Sequence, residues 1–493
     1  MGGMNAIVAA ALRMTAYAFV SRRFVFVFAI ALVCTNASAR SALAEPAPDA
    51  ARPVGAIGAP RAMTLPEALA YAHEHQPRIR AALARVSAER VQADVASGPW
   101  LPTVGVTAQI FGATANNTTA GYAAFSAIDI PRIGGTRAVS AGSATLTPYA
   151  STFAGLGVTQ EVFDFGRIAA QTAAADALVE VRKHDADAER LDIEFNVEES
   201  FFAVQAAKGV LAAAEGAFER ARAHRDLAQA GVKSGLRPPI ELTRAEADLQ
   251  RFDTGRTRAR GGVSIAQNVL ATAIGSNDPA VDAADSVKSP ADMPALATAI
   301  RRASERDPHL RMALAQLKAQ EERSRAIGAE LRPNLSATAT ISARAGGASP
   351  SSGDRADYAG WLPTVPNWDV GLVLSWPIFD GTTIARQKAS RALEDVRKDE
   401  IDIARQLLVA RIEQAYVAVE VIRAALPSLV HALDAAMANY TQADARFRAG
   451  LGTSVELADA EALRASAEID LAIGTFELAK ARAAFGRAIA EGL

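Results

Sequence analysis

Residues 193–232 read IEFNVEESFFAVQAAKGVLAAAEGAFERARAHRDLAQAGV, and they decide the fold. Ile193, Val197, Ser200, Val204, Ala207, Leu211, Ala214, Phe218, Ala221, Arg225, Ala228 and Val232 fall alternately four and three residues apart. A 3.5-residue repeat keeps its seam aligned over many turns only where helices supercoil around one another, so this stretch predicts a coiled coil. The pattern returns in LVARIEQAYVAVEVIRAALPSLVHALDAAMANYTQADARF over 408–447, from Leu408 and Ile412 through Val419, Leu426 and Tyr440 to Phe447. A helix in a globular core rarely keeps this phase for so long. Pro427 lies inside the second stretch and predicts a kink or a loosened ladder there.

The two stretches belong to a tandem repeat. Leu178 and Leu393, Val204 and Val419, Gly235-Leu236 and Gly450-Leu451, and Glu241-Leu242 and Glu456-Leu457 are each 215 residues apart. Upstream, Pro77 and Pro308, and Pro102 and Pro333, are 231 apart, so the first copy carries extra residues between the two blocks. Most of them fall in the Gly/Ala/Ser/Thr/Asn-rich stretch 112–150, whose counterpart at 343–366 is shorter; variation confined to one place marks a surface loop. The copies are expected at 63–283 and 294–493, with a Pro/Asp-rich linker around 279–294. The first should hold a helix over 65–97, strands near 101–111 and 152–163, a long helix over 166–231 and a helix over 240–275. The second should hold a helix, strands near 335–345 and 367–378, a long helix over 382–449 and a helix over 453–491. Each long helix would extend about 100 Å and each shorter one about half of that, so two short helices end to end match one long one.

Composition narrows the function. The 493 residues carry 52 Lys and Arg against 54 Asp and Glu, which leaves no basic face for nucleic acid. Half are hydrophobic but only 6% are aromatic, which suits closely packed alanine-rich helices better than a pocket lined with rings. No phosphate-loop, HExxH or GxSxG signature is present. His73 and His75 are two apart on a helix and do not share a face, so no metal centre, cofactor or catalytic residue is expected. The run Arg251, Arg256, Arg258 and Arg260 reads as a solvated helix face. Residues 1–44 read as an export signal: Arg22-Arg23, an apolar run over 24–33, and small-residue cleavage patterns ending at Ala39 and Ala44. Met14 is an alternative start, and Cys34, the single cysteine, is either lipidated or discarded with the signal.

The strand candidates alternate. Val104, Val106, Ala108 and Ile110 are interleaved with Gly105, Thr107 and Gln109, and Trp368, Val370, Leu372, Leu374 and Trp376 with Asp369, Gly371, Val373 and Ser375. One apolar and one small or polar face suits a membrane barrel wall. Trp100, Trp361, Trp368 and Trp376 all lie in or beside these strands, and Tyr122, Tyr149 and Tyr358 in the connecting loops, as interfacial aromatics would. Four strands cannot close a membrane barrel, and an open edge in lipid leaves backbone groups unsatisfied, so the chain must oligomerise.

On these residues the sequence resembles TolC-type outer-membrane efflux and secretion channels. The segments that carry the resemblance are Leu65-Pro66-Glu67-Ala68-Leu69, Leu101-Pro102, Arg332-Pro333, Val162-Phe163-Asp164-Phe165-Gly166-Arg167 and Pro377-Ile378-Phe379-Asp380-Gly381. The tip turns Ser234-Gly235-Leu236 and Arg446-Phe447-Arg448-Ala449-Gly450-Leu451, the latter running into Val455-Glu456-Leu457-Ala458-Asp459-Ala460, complete it. The resemblance implies a mainly helical fold with membrane strands, four per chain. A homotrimer would form one twelve-stranded β-barrel continuous with a long periplasmic α-helical coiled-coil barrel. It implies a passive duct in the outer membrane of a Gram-negative bacterium, no enzymatic activity, outer-membrane lipid around the barrel, and a periplasmic adaptor docked on Gly235, Leu236, Gly450 and Leu451. An inner-membrane RND or ABC transporter would supply the energy, in a tripartite pump or a type I secretion system.

The resemblance also places Glu456 and Asp459 at the periplasmic aperture, where their i,i+3 spacing puts both on one helix face. As first-turn acids they would equally complement the helix dipole. Phe447 and Gly452 stand where relatives can use a tyrosine and an arginine to hold the closed state, which leaves Asp444, Arg446 and Arg448 as candidates for closed-state contacts. The rival reading is a periplasmic adaptor or structural coiled-coil protein, which has one hairpin where this chain has two full repeats.

Overall fold

The computed structural model describes residues 61–114, 148–278, 281–284, 293–346 and 365–491. The signal segment with Cys34, and the aromatic candidates Trp361, Tyr122 and Tyr358, lie outside them. In chain order the elements are β1 (Arg61–Met63), α1 (Leu65–His75), α2 (Pro77–Ser97), β2 (Thr103–Thr114), β3 (Pro148–Phe163), α3 (Arg167–Lys233) and α4 (Pro239–Ile274). The second half holds β4 (Val281–Ala283), α5 (Leu296–Arg306), α6 (Pro308–Ala329), β5 (Asn334–Gly346), β6 (Val365–Ser375), α7 (Gly381–Arg448) and α8 (Ser454–Ala488).

The heptad stretches are single helices of 67 and 68 residues, and α7 runs through Pro427 without a break. Their seams are largely buried: Ile193, Val197, Ser200 and Val204 in α3, and Leu408, Ile412, Val419 and Phe447 in α7. Near the sheet the helices lie in the order α2, α3, α6, α7, and farther away in the order α4, α3, α8, α7, so each long helix runs beside stacked shorter ones.

Each opening helix is divided in two, a break the heptad pattern does not announce. Proline lacks an amide and pushes the preceding residue out of the helical region, and Gln76 (ψ 118°) and Asp307 (ψ 121°) are extended just before Pro77 and Pro308. Asp307 caps α6 by accepting from the Leu310 amide at 2.8 Å. Gln76 instead donates to the Ala273 carbonyl at 2.7 Å, sewing the break onto the end of α4. There Gly275 has φ +75°, and a Cβ on it would lie 2.9 Å from the Gln76 Cα. Gly275→Ala should therefore cost well over the ~1–2 kcal/mol of the left-handed conformation alone. Gly235→Ala, with the same φ and open space around it, should cost only that conformational cost. Denaturant midpoints of the two variants in detergent check the difference.

Within the linker expected around 279–294, residues 281–283 form β4, which pairs in parallel with β1. Lys208 explains this: its Nζ binds the Asp282 carboxylate at 2.7 Å and the Ala283 carbonyl at 2.8 Å, while Gln267 donates to Asp282 at 3.1 Å.

The four long strands form one antiparallel sheet in the order β2-β3-β5-β6. Val106, Leu156, Ile341 and Trp368 make one cross-strand row, and Gly105, Gly157, Thr340 and Asp369 the adjacent row on the other face. The first row is apolar and exposed, with Trp368 78% accessible, whereas Thr338 and Thr340 on the second face are buried. The strands start two residues past Leu101 and one past Pro333, and β6 stops at Ser375 before Pro377, which leaves Trp376 beyond the ladder. Tyr149 falls in β3 opposite Ala113, not in a loop. At the strand–helix junction, buried Asp164 accepts from the amides of Gly166 and Ile168, starting α3 as Asp380 starts α7. Among the described residues strands β2 and β6 each have one neighbour, so both sheet edges are unpaired there.

Candidate functional site

The two helical turns at the far end from the sheet are built alike. Gly235 and Gly450 take φ of 74° and 75°, and the next amides, Leu236 and Leu451, reach back to the Gly231 and Arg446 carbonyls at 2.9 Å. This left-handed closure ends both long helices and turns the chain into α4 and α8. A Cβ at either glycine would meet nothing within 4 Å, so backbone conformation, not space, selects glycine. Leu236 is 83% exposed and Leu451 76%, with Ile240 and Val455 exposed beside them. Each tip thus presents a bare apolar knob on a fixed turn.

The acidic pair lies just inside the second turn. Thr453 caps α8 by accepting from the Glu456 amide at 3.2 Å, and Glu456 and Asp459 are exposed one helical turn apart. Glu456 has one distant cation, Arg446 at 3.8 Å, and Arg448 pairs with Asp444 along α7 at 2.9 Å. All three closed-state candidates therefore have partners within one chain.

The strongest contact between the two tips comes from a residue that the sequence analysis did not single out. Arg237 stacks 3.6 Å over the Phe447 ring, donates to the Phe447 carbonyl at 2.6 Å and pairs with Glu241 at 2.6 Å. It sits 215 residues before Gly452, so the repeat alignment itself carried the signal: where one copy has glycine, the other has the arginine. Gly452 must stay small, because a Cβ there would lie 3.1 Å from the Phe447 nitrogen. Phe447 is fully buried and also receives the His224 ring at 4.7 Å, nearly perpendicular.

Above this contact lies a buried charge cluster. Arg220 of α3 binds both carboxylate oxygens of Glu461 of α8, at 2.8 and 2.9 Å, and reaches Glu468 at 3.3 Å. Arg464 pairs with Glu468 at 2.9 Å and lies 5.2 Å from the Tyr440 ring. Burial pushes the Glu461 carboxyl above the usual carboxylate range, and the Arg220 hydrogen bonds only partly offset it. Burial likewise raises the Tyr440 hydroxyl. The cluster ties the first repeat to the second.

Elsewhere the polar residues are structural. His73 binds Glu194 at 2.7 Å, and His75 stacks on Tyr71 at 3.9 Å. Arg256 leaves the solvated face expected for it and lies 3.8 Å over the Phe218 ring, while Arg260 reaches Glu215 at 2.9 Å. Among the described residues no group of His, Cys, Asp or Glu is placed to hold a metal.

Comparison with known proteins bears on the fold as a whole. The profile described as outer membrane efflux protein matches residues 68–276 and 299–491, one match in each repeat. The fusaric acid resistance protein FusA of Burkholderia cepacia is 28% identical over 208 residues, which are 41% of this chain and 37% of that protein. The match thus spans little more than a third of that relative. The Campylobacter jejuni CmeC outer membrane channel superposes with a TM-score of 0.68 at 16% identity, covering 87% of this chain and 86% of that one. The open state of the Neisseria gonorrhoeae MtrE outer membrane channel gives 0.63 at 19% identity, covering 87% and 89%.

Proposed function

The chain belongs to the outer membrane efflux protein family, and on that premise we propose that three copies form a passive exit duct from the periplasm to the exterior. The carrying observation is the four-stranded sheet, whose apolar face is bare and whose two edges are unpaired among the described residues. In the outer membrane, where this protein resides, such edges are tolerated only when other strands close them, and three copies supply twelve strands. The helices support the same assembly. Leu393, Val396, Ile403, Leu407, Val417 and Val421 form a second apolar stripe along α7, exposed in the single chain. Leu83, Val91 and Val95 of α2 are exposed on the opposite flank and offer that stripe a partner in the next copy. Among the described residues α7 alone has a stretch apolar and long enough to cross a membrane by length and composition.

The knobs at Leu236 and Leu451, with their fixed glycine turns, would seat a periplasmic adaptor, and an inner-membrane RND or ABC transporter would supply energy. The likeness to a fusaric acid resistance protein favours small organic compounds as cargo over the unfolded proteins of type I secretion. Glu456 and Asp459, three copies of each, would ring the aperture with negative charge and favour cations. Single-channel recording of the purified protein in a planar bilayer tests this. The wild type should conduct with cation preference, and Glu456→Gln with Asp459→Asn should lower that preference several-fold. Unaltered selectivity would remove these residues from the aperture, and absence of conductance would remove the duct.

A further inference from the structure

The contact between the tips contains a titratable group that neither conduction nor docking uses. His224 of α3 packs its ring on Phe447, the residue whose carbonyl and ring face hold Arg237. Its Nε2 is buried without a hydrogen-bond partner among the described residues. We propose that His224, Phe447 and Arg237 form an acid-sensitive latch, closed while His224 is neutral and released when it takes up a proton. The proposal rests on the duct reading only for its physiological setting.

The charged surroundings decide the sign. From α4, Asp248 and Glu241 face the imidazole, from the tip turn Arg237, and from α7 Asp444. Tyr440 of α7, Glu461 of α8 and Arg220 of α3 itself line the same small cavity. A proton on His224 would create a partly buried cation whose buried Nε2 has no acceptor among the described residues, beside the Arg237 guanidinium. The acids that attract this cation include Glu241, the partner of Arg237, so the imidazolium competes with Arg237 for its own carboxylate. Burial outweighs those acids and holds His224 below its ordinary value. A group held low in the closed state takes up its proton more readily when the contact opens, so acid drives opening. The latch is at full strength above the ordinary histidine value of about 6.5 and weakens as pH falls below it.

Amide hydrogen exchange of the full chain in detergent at pH 7.5 and 5.5, corrected for intrinsic exchange, reads the latch at residues 233–239 and 449–453. Wild type should lose protection in both turns on acidification, by up to about tenfold, and His224→Phe and His224→Gln should show no pH-dependent loss. Arg237→Gln should be weakly protected at both pH values. Equal loss in wild type and both His224 variants, no loss in wild type, or wild-type protection in Arg237→Gln at pH 7.5 would overturn the latch. Bilayer conductance of the same preparations separates the two readings. Conduction without the exchange change sinks the latch alone, and the exchange change without conduction sinks the duct alone.

Discussion

Val370→Arg should nearly abolish recovery of the assembled protein from the outer membrane. Val370, 73% exposed, lies in the middle of edge strand β6, in an apolar row with Val104, Val158 and Ala339. An arginine on the lipid face near the bilayer midplane costs about 2–4 kcal/mol, and a symmetric trimer pays it three times. The adjacent Asp369 points to the other face, with Gly105, Gly157 and Thr340 in its row, so Asp369→Asn should assemble at wild-type levels. Membrane fractionation checks both. A soluble sheet would reverse the expectation, since an added arginine on a solvated face is harmless.

Arg220→Ala should be the most damaging single change in the helices. It strips the nearly buried Glu461 of its bidentate partner, and removing one member of a buried pair costs about 3–5 kcal/mol. The neighbouring Arg464 is committed to Glu468 and gives little relief. The loss should depend on pH in a definite direction. Burial already raises Glu461, and without Arg220 its folded-state value rises further above the unfolded one. Stability of the variant is then greatest when the carboxyl is protonated in acid, and is lost as pH rises through the folded value. Thermal unfolding in detergent at pH 5 and pH 8 should show the larger deficit at pH 8. Arg220→Met with Glu461→Met, which removes both charges, should recover most of it.

The long helices, the repeat and the strand alternation were legible because each is periodic along the chain. Ile193 to Val232 declare a helix by spacing alone, and Trp368 to Trp376 a two-faced strand. The helix breaks at Gln76 and Asp307 were readable only through the prolines that follow them, because the apolar pattern runs on across both. The strand β4 was not readable, since it depends on Lys208 and Gln267, 74 and 15 residues away from Asp282 in the chain. The tip is the instructive case. Gly235, Gly450 and the leucines after them repeat at a fixed offset and stand out, whereas Arg237, His224 and Arg220 act across repeats on Phe447 and Glu461. Such contacts follow from which helices become neighbours, which no local pattern states. The difference between Arg237 and Gly452 was the one trace of them in the sequence.

The central claim is that β2 of one copy pairs with β6 of the next until three chains close. Because the described residues contain no cysteine, pairs introduced on the two edges, with Val104→Cys on β2 and either Val370→Cys or Leu372→Cys on β6, give an unambiguous readout. Oxidation in intact outer membranes should yield covalent species that stop at three chains. A ladder that continues past three, or bridges confined to single chains, would contradict the account.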